Sequence, residues 1–294
     1  MARKNADART SGQDLMRGEH VVGGKGLPHN TQDWVQRKIA EGELDGGLAA
    51  SHSGTSIFDP VLCELAYRWF CPPGGLVLDP FAGGSVRGIV AAKLGRRYLG
   101  IDLRPEQVEA NRAQAAEICK GGLAPEWIVG DSAQVLPGVK AEADMVFTCP
   151  PYGDLEVYSD DPADLSAMDH AAFCRAYRAI IAAAVARLKA DRFAVCVVGD
   201  FRDSKGFYRG FVGETVAAFE AAGARLYNEA ILVTAVGSLP IRAGKQFSAT
   251  RKLGKTHQNL LCFVKGDPRR ATEACGECET GDVPEAETVY GEPL

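Results

Sequence analysis

Between residues 58 and 266 the chain alternates between two hydrophobic periods. Short apolar runs, LVLD, YLGID, WIVGD, ADMVFTC, FAVCVVGD, YNEAILVTAV and NLLCFVKG, predict seven strands. The stretches between them have the spacing of amphipathic helices. VLCELAYRWF sets Leu62, Leu65, Ala66 and Trp69 on one face, and HAAFCRAYRAIIAAAVARLK repeats Phe173, Tyr177, Ile180, Ala184 and Leu188 in the same way. VRGIVAAKLG, RPEQVEANRAQAAEICKGG and GETVAAFEAAG predict three more helices. Pro105 near the start and Gly121 past the end bound the second of these, and CPPGG stops the helix before the first strand. Strands alternating with helices predict an α/β fold with a mostly parallel sheet and helices on both faces. The last two strands, with no helix predicted between them, predict an antiparallel hairpin at one edge.

The flanks lack this pattern. Residues 1–45 show one helix-like stretch, TQDWVQRKIAEGEL, and are expected to be a partly irregular extension; 46–266 is expected to be one domain. Residues 267–294 have few large apolar side chains and are expected to be a disordered acidic tail. Hydrophobic residues at 46% and charged residues at 24% exclude a disordered or fibrous chain. The longest apolar runs, such as 180–186, fall far short of the roughly 20 residues of a membrane span, so no membrane is expected. The polar N-terminus lacks a signal-peptide core, and the expectation is a cytoplasmic protein. Nine scattered cysteines read as reduced core residues, and Cys275-Gly276-Glu277-Cys278 is a single CxxC without a second ligand pair, so no metal is assigned.

Net charge changes the picture only when divided. The last 28 residues hold eight acids against two arginines, a balance of −6 within a total of −5, which leaves +1 for the rest. From Leu239 to Gly266 there are six Lys or Arg and no acid. A basic segment therefore adjoins an acidic tail.

Ligands of open α/β sheets sit beyond the carboxyl ends of the strands, and those ends carry the candidate chemistry. The first ends in Asp79-Pro80-Phe81-Ala82-Gly83-Gly84-Ser85, where glycines let the backbone approach a ligand. The second ends in Asp102, an acceptor suited to ribose hydroxyls, and the third in Gly130-Asp131-Ser132, suited to an adenine amino group. Asp79 alone reads also as a helix cap, but three strand-end acids at matching positions favour the ligand-site reading. The turn has neither GxGxxG nor GK[ST], which points to a nucleoside without phosphates.

FDPVLCELAYRWFCPPGGLVLDPFAGGSVRGIVAAKLGRRYLGIDLRPEQVEAN resembles the S-adenosylmethionine-dependent amino-methyltransferases of DNA, and the resemblance extends from about Phe58 to Gly266. It implies a Rossmann-like methyltransferase fold with S-adenosylmethionine as cofactor. Phe58 and Pro60 would line the methionine end. Asp79 and Pro80 would lead into the turn in which Phe81, Ala82, Gly83 and Gly84 wrap it. Asp102 with Leu103 would take the ribose, and Asp131 with Ser132 the adenine. RKLGKTHQNLLCFVKG resembles the closing stretch of phage and prophage methylases of this type, which often act without a restriction partner.

The fourth strand ends in Thr148-Cys149-Pro150-Pro151-Tyr152, which resembles that family's catalytic motif of Asp, Asn or Ser, two prolines and an aromatic residue. An exocyclic amine is a poor nucleophile because its lone pair is conjugated with the ring. Acceptors at position 149 and on a proline-turn carbonyl would hold it less planar and in line with the methyl donor, while Tyr152 stacks on a base swung out of its duplex. Cys149 departs from the motif, since a thiol is a weaker acceptor than a hydroxyl. It reads also as a covalent nucleophile of the 5-methylcytosine kind, although there the proline precedes the cysteine, or as part of a merely packed turn.

Two loops remain for substrate. Residues 153–169 are acidic and suit base contacts or a lid. The loop GSLPIRAGKQFSATRKLGKTH carries Arg242, Lys245, Arg251, Lys252 and Lys255, suited to backbone phosphates, or else simply solvated; His257 either contacts phosphate or begins the last strand. The expected partner is DNA, with methylation at N4 of cytosine or N6 of adenine. RNA is the alternative substrate, and a binding protein that has lost turnover is the alternative class. A homodimer is compatible with the sequence.

Overall fold

In the computed structural model, residues 58–153, 158–234 and 239–278 are described. The expected extension 1–45, its helix-like stretch and the tail beyond 278 lie outside them. Seven strands form one sheet: β1 (Leu76–Asp79), β2 (Arg97–Asp102), β3 (Glu126–Val129), β4 (Ala143–Thr148), β5 (Leu188–Val198), β6 (Arg225–Val233) and β7 (His257–Lys265). Their order is β3-β2-β1-β4-β5-β7-β6. Pairing is parallel from β3 through to β5, and β7 runs antiparallel to both β5 and β6. This is a Rossmann-like α/β sheet with its strand order reversing beside β1, and it bears out the expected mostly parallel sheet with an antiparallel edge pair.

Eight helices are assigned among the described residues: α1 (Pro60–Phe70), α2 (Val86–Lys93), α3 (Pro105–Ile118), the single turn α4 (Ser132–Val135), α5 (His170–Arg187), α6 (Phe211–Ala221), α7 (Leu239–Thr250) and α8 (Pro268–Cys275). α1 begins where the sequence dictates. The Asp59 carboxylate accepts from Val61 N at 2.8 Å and Leu62 N at 3.3 Å, and Pro60 occupies the first turn, where its missing N–H has no partner to lose. β1 and β4 are buried throughout, as strands covered on both faces must be. The core joins α1, α2 and α3 to these strands through Tyr67, Tyr98, Val108, Trp127 and Phe147. Six cysteines are buried, and burial pushes the thiols of Cys63 and Cys71 up to about 12, so neither is a nucleophile near neutral pH.

Two expectations fail. The connection between β6 and β7 is not a plain loop, because it contains α7. Pro240 disguised it, yet a proline in the first helical turn costs no hydrogen bond. The segment from residue 267, expected to be disordered, opens with α8. Asp267 caps it by accepting from Arg269 N at 2.9 Å and Arg270 N at 3.0 Å, and only Ala271 and Cys275, four residues apart, are buried. Two small residues suffice where a helix lies close on its neighbours.

The expected single domain 46–266 divides into two compact units. One comprises 58–150 and 174–278, and the other, among the described residues, 151–153 and 158–173. In the second, Asp164 organises the acidic loop: its carboxylate accepts from Ser166 N at 2.8 Å and from the Ser159 hydroxyl at 2.8 Å.

Candidate active site

The carboxyl edge of the larger unit carries most of the predicted residues. Asp79, at the end of β1, is fully buried. Its Oδ1 accepts from Phe81 N at 3.1 Å and the Thr148 hydroxyl at 2.7 Å; its Oδ2 accepts from Arg87 Nε at 2.6 Å and the Tyr98 hydroxyl at 2.8 Å. Four donors fill the four lone-pair sites of a carboxylate. Asp79 therefore neither caps a helix nor has an acceptor left for a ligand: it positions the turn that follows it. Its place among the expected cofactor-site residues therefore rests on the turn it holds and not on a contact of its own side chain.

Arg87 holds the other half of this clamp. Its NH2 group donates to Phe81 O at 2.6 Å and Ala82 O at 3.0 Å, and its guanidinium lies 4.6 Å from the centroid of the Phe58 ring. Burial favours its neutral form, and the Asp79 carboxylate outweighs burial and keeps it charged. The turn 80–83 is thus fixed at both its amides and its carbonyls. Phe81 stacks on Tyr177 of α5, with ring centroids 5.9 Å apart, and Phe58 packs edge-on against Phe147. Pro60 is exposed at the start of α1.

Gly83 adopts φ +50°, which favours glycine, and a Cβ built there or at Gly84 would meet nothing within 4 Å. Its N–H donates to Asp102 Oδ2 at 2.9 Å, while Arg104 N donates to Oδ1 at 3.0 Å. The Asp102 side chain is 13% exposed, and burial raises its carboxyl above the ordinary value. Each oxygen holds one backbone amide, which leaves each capacity for one more donor. Leu103 follows, half-buried. Beneath the turn, a Cβ on Gly100 would stand 2.8 Å from Ala82 Cβ, so only glycine lets the turn lie so close on β2.

Asp131 caps α4, accepting from Ala133 N at 2.9 Å through Oδ1; its other oxygen has no donor among the described residues. Ser132 departs from expectation. It is buried and its hydroxyl donates to Pro80 O at 2.6 Å, so it ties the β3 end to the β1 turn instead of facing a ligand.

Cys149, half-buried, follows Thr148 and lies within electrostatic reach of Arg87, Tyr177 and Cys196. Pro150 completes this unit's part of the turn, and Pro151 and Tyr152 belong to the other unit.

The predicted phosphate-contacting residues spread over α7, the segment between α7 and β7, and the first residue of β7. The Arg242 side chain lies outside the described residues. Lys245 is exposed on α7; Arg251 is exposed at φ +57° with its guanidinium 5.0 Å from the Phe247 ring centroid. Lys252 and Lys255 are half-buried, and His257 begins β7. Among the described residues no group of three His, Cys, Asp or Glu is placed to hold a metal, and no helix is long and apolar enough to cross a membrane.

The sequence reading missed Arg87, Tyr98, Thr148 and Tyr177. Arg87 had a signal: it shares a helical face with Ala91, where a cation is out of place unless paired.

Residues 55–114 match the family model described as DNA methylase. The type II methyltransferase M2.DpnII of Streptococcus pneumoniae is 46% identical over 39 residues, which is 13% of this chain and 15% of that protein. The chain thus matches only a small part of that relative's length. Among solved structures, TrmN from Thermus thermophilus is similar at TM-score 0.46 and 17% identity, over 71% of this chain and 49% of that one. Magnesium protoporphyrin IX methyltransferase (ChlM) from Synechocystis PCC 6803, with bound SAM, is similar at TM-score 0.45 and 14% identity, over 87% of this chain and 92% of that one.

Proposed function

We propose that this chain is an S-adenosylmethionine-dependent methyltransferase acting on the exocyclic amine of a base in DNA, N4 of cytosine or N6 of adenine. One observation carries the reading: the Gly83 amide is held by Asp102 beside open space at Gly83 and Gly84, on a turn clamped from below by Asp79 and Arg87. That cradle fits a nucleoside with vicinal hydroxyls, and the match of residues 55–114 to the DNA methylase family supports the same ligand.

S-adenosylmethionine, when bound, supplies an electrophilic methyl group on a sulfonium. In this reading Asp102 takes the ribose hydroxyls through its two remaining lone pairs, with Leu103 beside it. Asp131 accepts from the adenine amino group through the oxygen that Ala133 leaves, and the backbone of 80–84 wraps the ligand between Phe58 and Phe81. Cys149 and the Pro150 carbonyl accept from the target amine, orienting its lone pair, while Pro151 stiffens the turn and Tyr152 stacks on the base. Positioning, with no covalent intermediate, supplies the rate. The basic residues Arg242, Lys245, Arg251, Lys252, Lys255 and His257 hold backbone phosphates.

The test is methyl incorporation from labelled S-adenosylmethionine into duplex DNA, tRNA and rRNA, followed by hydrolysis to nucleosides and mass spectrometry. The expected product is N4-methylcytosine or N6-methyladenine from DNA. Label confined to RNA would move the reading to the RNA alternative, and no label in any of them, with S-adenosylmethionine still bound, would leave a binding protein.

A further inference from the structure

Past the end of β5 the chain folds back on itself over residues 201–209. Arg209 N donates to Phe201 O at 2.9 Å, Asp203 N donates to Phe207 O at 2.8 Å, and Arg202 and Tyr208 form an isolated antiparallel bridge. Asp203 closes the turn by accepting from Phe207 N at 2.9 Å, and these backbone donors hold its carboxyl below the ordinary range. Arg202 donates to Gly206 O at 2.8 Å and lays its guanidinium 3.8 Å from the Tyr208 ring centroid. The result is a short finger with Phe201 buried at its base and two outward-facing rings, Phe207 at 71% and Tyr208 at 49% exposed.

The chain after α7 packs against this finger. The Lys252 stem passes over Gly206, where a Cβ would stand 2.5 Å from Lys252 Cε, and Lys255 Nζ lies 3.5 Å from Asp200 O. Burial draws the Lys255 ammonium below the usual lysine range. Between finger and helix lies a cleft of about 170 Å³. Tyr208, Leu239 and Leu253 give it apolar walls; Arg202, Lys255 and Gln246 give it donors. Its one acid, Asp200, accepts from Phe211 N and lies within electrostatic reach of Lys255, so Arg202 and Lys255 outnumber the acid beside a flat ring.

Strand register fixes where the cleft stands. Thr148 pairs with Cys196, and Val198 with Asn259, so the ends of β4 and β5 and the start of β7 share the edge that carries Cys149. The cleft is lined by the chain that leaves β5 and the chain that enters β7, on the side of β4 away from β1 to β3.

We propose that this cleft holds one nucleotide of the nucleic-acid substrate, next to the one at the Cys149 turn: its base extends the Arg202–Tyr208 stack and its phosphate meets Lys255 and Lys252. The inference rests on the nucleic-acid reading above. Rings and guanidinium planes stack on any base, and a nearby ammonium neutralises the phosphate that each base brings with it. A purely electrostatic surface needs the lysines and not the ring.

Fluorescence anisotropy of the full chain with labelled 20-mer DNA, duplex and single-stranded, and with RNA of the same sequence tests it. Tyr208→Ala is expected to weaken binding about tenfold with the salt dependence unchanged, and Tyr208→Phe to restore it. Lys255→Gln is expected to weaken binding to every sequence and to lower the slope of log affinity against log salt by about one. Wild-type affinity in either Tyr208→Ala or Lys255→Gln overturns the cleft, as does a loss in Tyr208→Ala that phenylalanine does not restore, or a wild-type chain that binds neither DNA nor RNA. Calorimetry with S-adenosylmethionine keeps the two readings apart. A wild-type chain that binds none refutes the methyltransferase reading, whereas the cleft is decided by anisotropy alone.

Discussion

The two edges of the sheet use carboxylates differently. At the amino edge Asp144 of β4 accepts from Leu76 N at 3.0 Å, Lys189 Nζ at 2.7 Å and Arg192 Nε at 3.4 Å. Burial works to raise its carboxyl, and the lysine, the amide and the arginine together outweigh burial and hold it below the ordinary range. At the carboxyl edge Asp102 has two backbone amides as its hydrogen-bond donors, with the Arg104 guanidinium no nearer than 4.0 Å, and burial wins. The amino edge is closed by cations that fix strands together. At the carboxyl edge Asp102, unlike the saturated Asp79, is held by groups that leave acceptor capacity over, which is what a polar ligand requires.

The largest effect tests the clamp beneath that edge. Asp79→Ala leaves the Arg87 charge buried without its partner and is expected to cost about 3–5 kcal/mol, read as a shift of the urea midpoint. A loss below about 1 kcal/mol would mean that the turn is held some other way. Next come the two edges themselves. Asp102→Ala is expected to lower S-adenosylmethionine affinity at least tenfold, about 1.4 kcal/mol, in calorimetry, while stability moves by no more than about 1 kcal/mol. Asp144→Ala is expected to do the reverse, losing about 2 kcal/mol of stability with cofactor affinity unchanged. Equal losses of both quantities in both variants would erase the distinction.

The smallest effect is in pH. Asp144 titrates below its unfolded value of about 3.9, so its contribution is present above that pH and is lost as the pH falls through its folded value. Asp102 titrates above its unfolded value, so its contribution is present below about pH 3.9 and is lost as the pH rises through its folded value. Urea midpoints from pH 3 to 7 should therefore show less acid destabilisation in Asp144→Asn and a smaller decline above pH 4 in Asp102→Asn. Shifts of the same sign would contradict the assignment.

The site was legible where chemistry is written in backbone-adjacent residues. Gly83 at the turn and Asp102 and Asp131 at strand ends announced themselves, since a strand end followed by glycine or a short polar residue has few other uses. Asp79 and Ser132 stand at the strand ends that the pattern predicts, but their side chains are engaged within the protein. Both face inward, to Arg87 and Tyr98 for one and to Pro80 for the other. Nothing local in DPFAGG or GDS says which way an oxygen points.

The sequence by itself determined the alternation of strands and helices, the burial of the central strands and the acids at their ends, because hydrophobic period and turn chemistry act over a few residues. The tertiary structure alone decided that Asp79 would be saturated by donors from β2, β4 and α2, that two small residues would seat α8, and that Tyr208, Leu253 and Lys255 would face one cleft. Those outcomes depend on groups brought together across tens of residues, whose partners no local pattern can name.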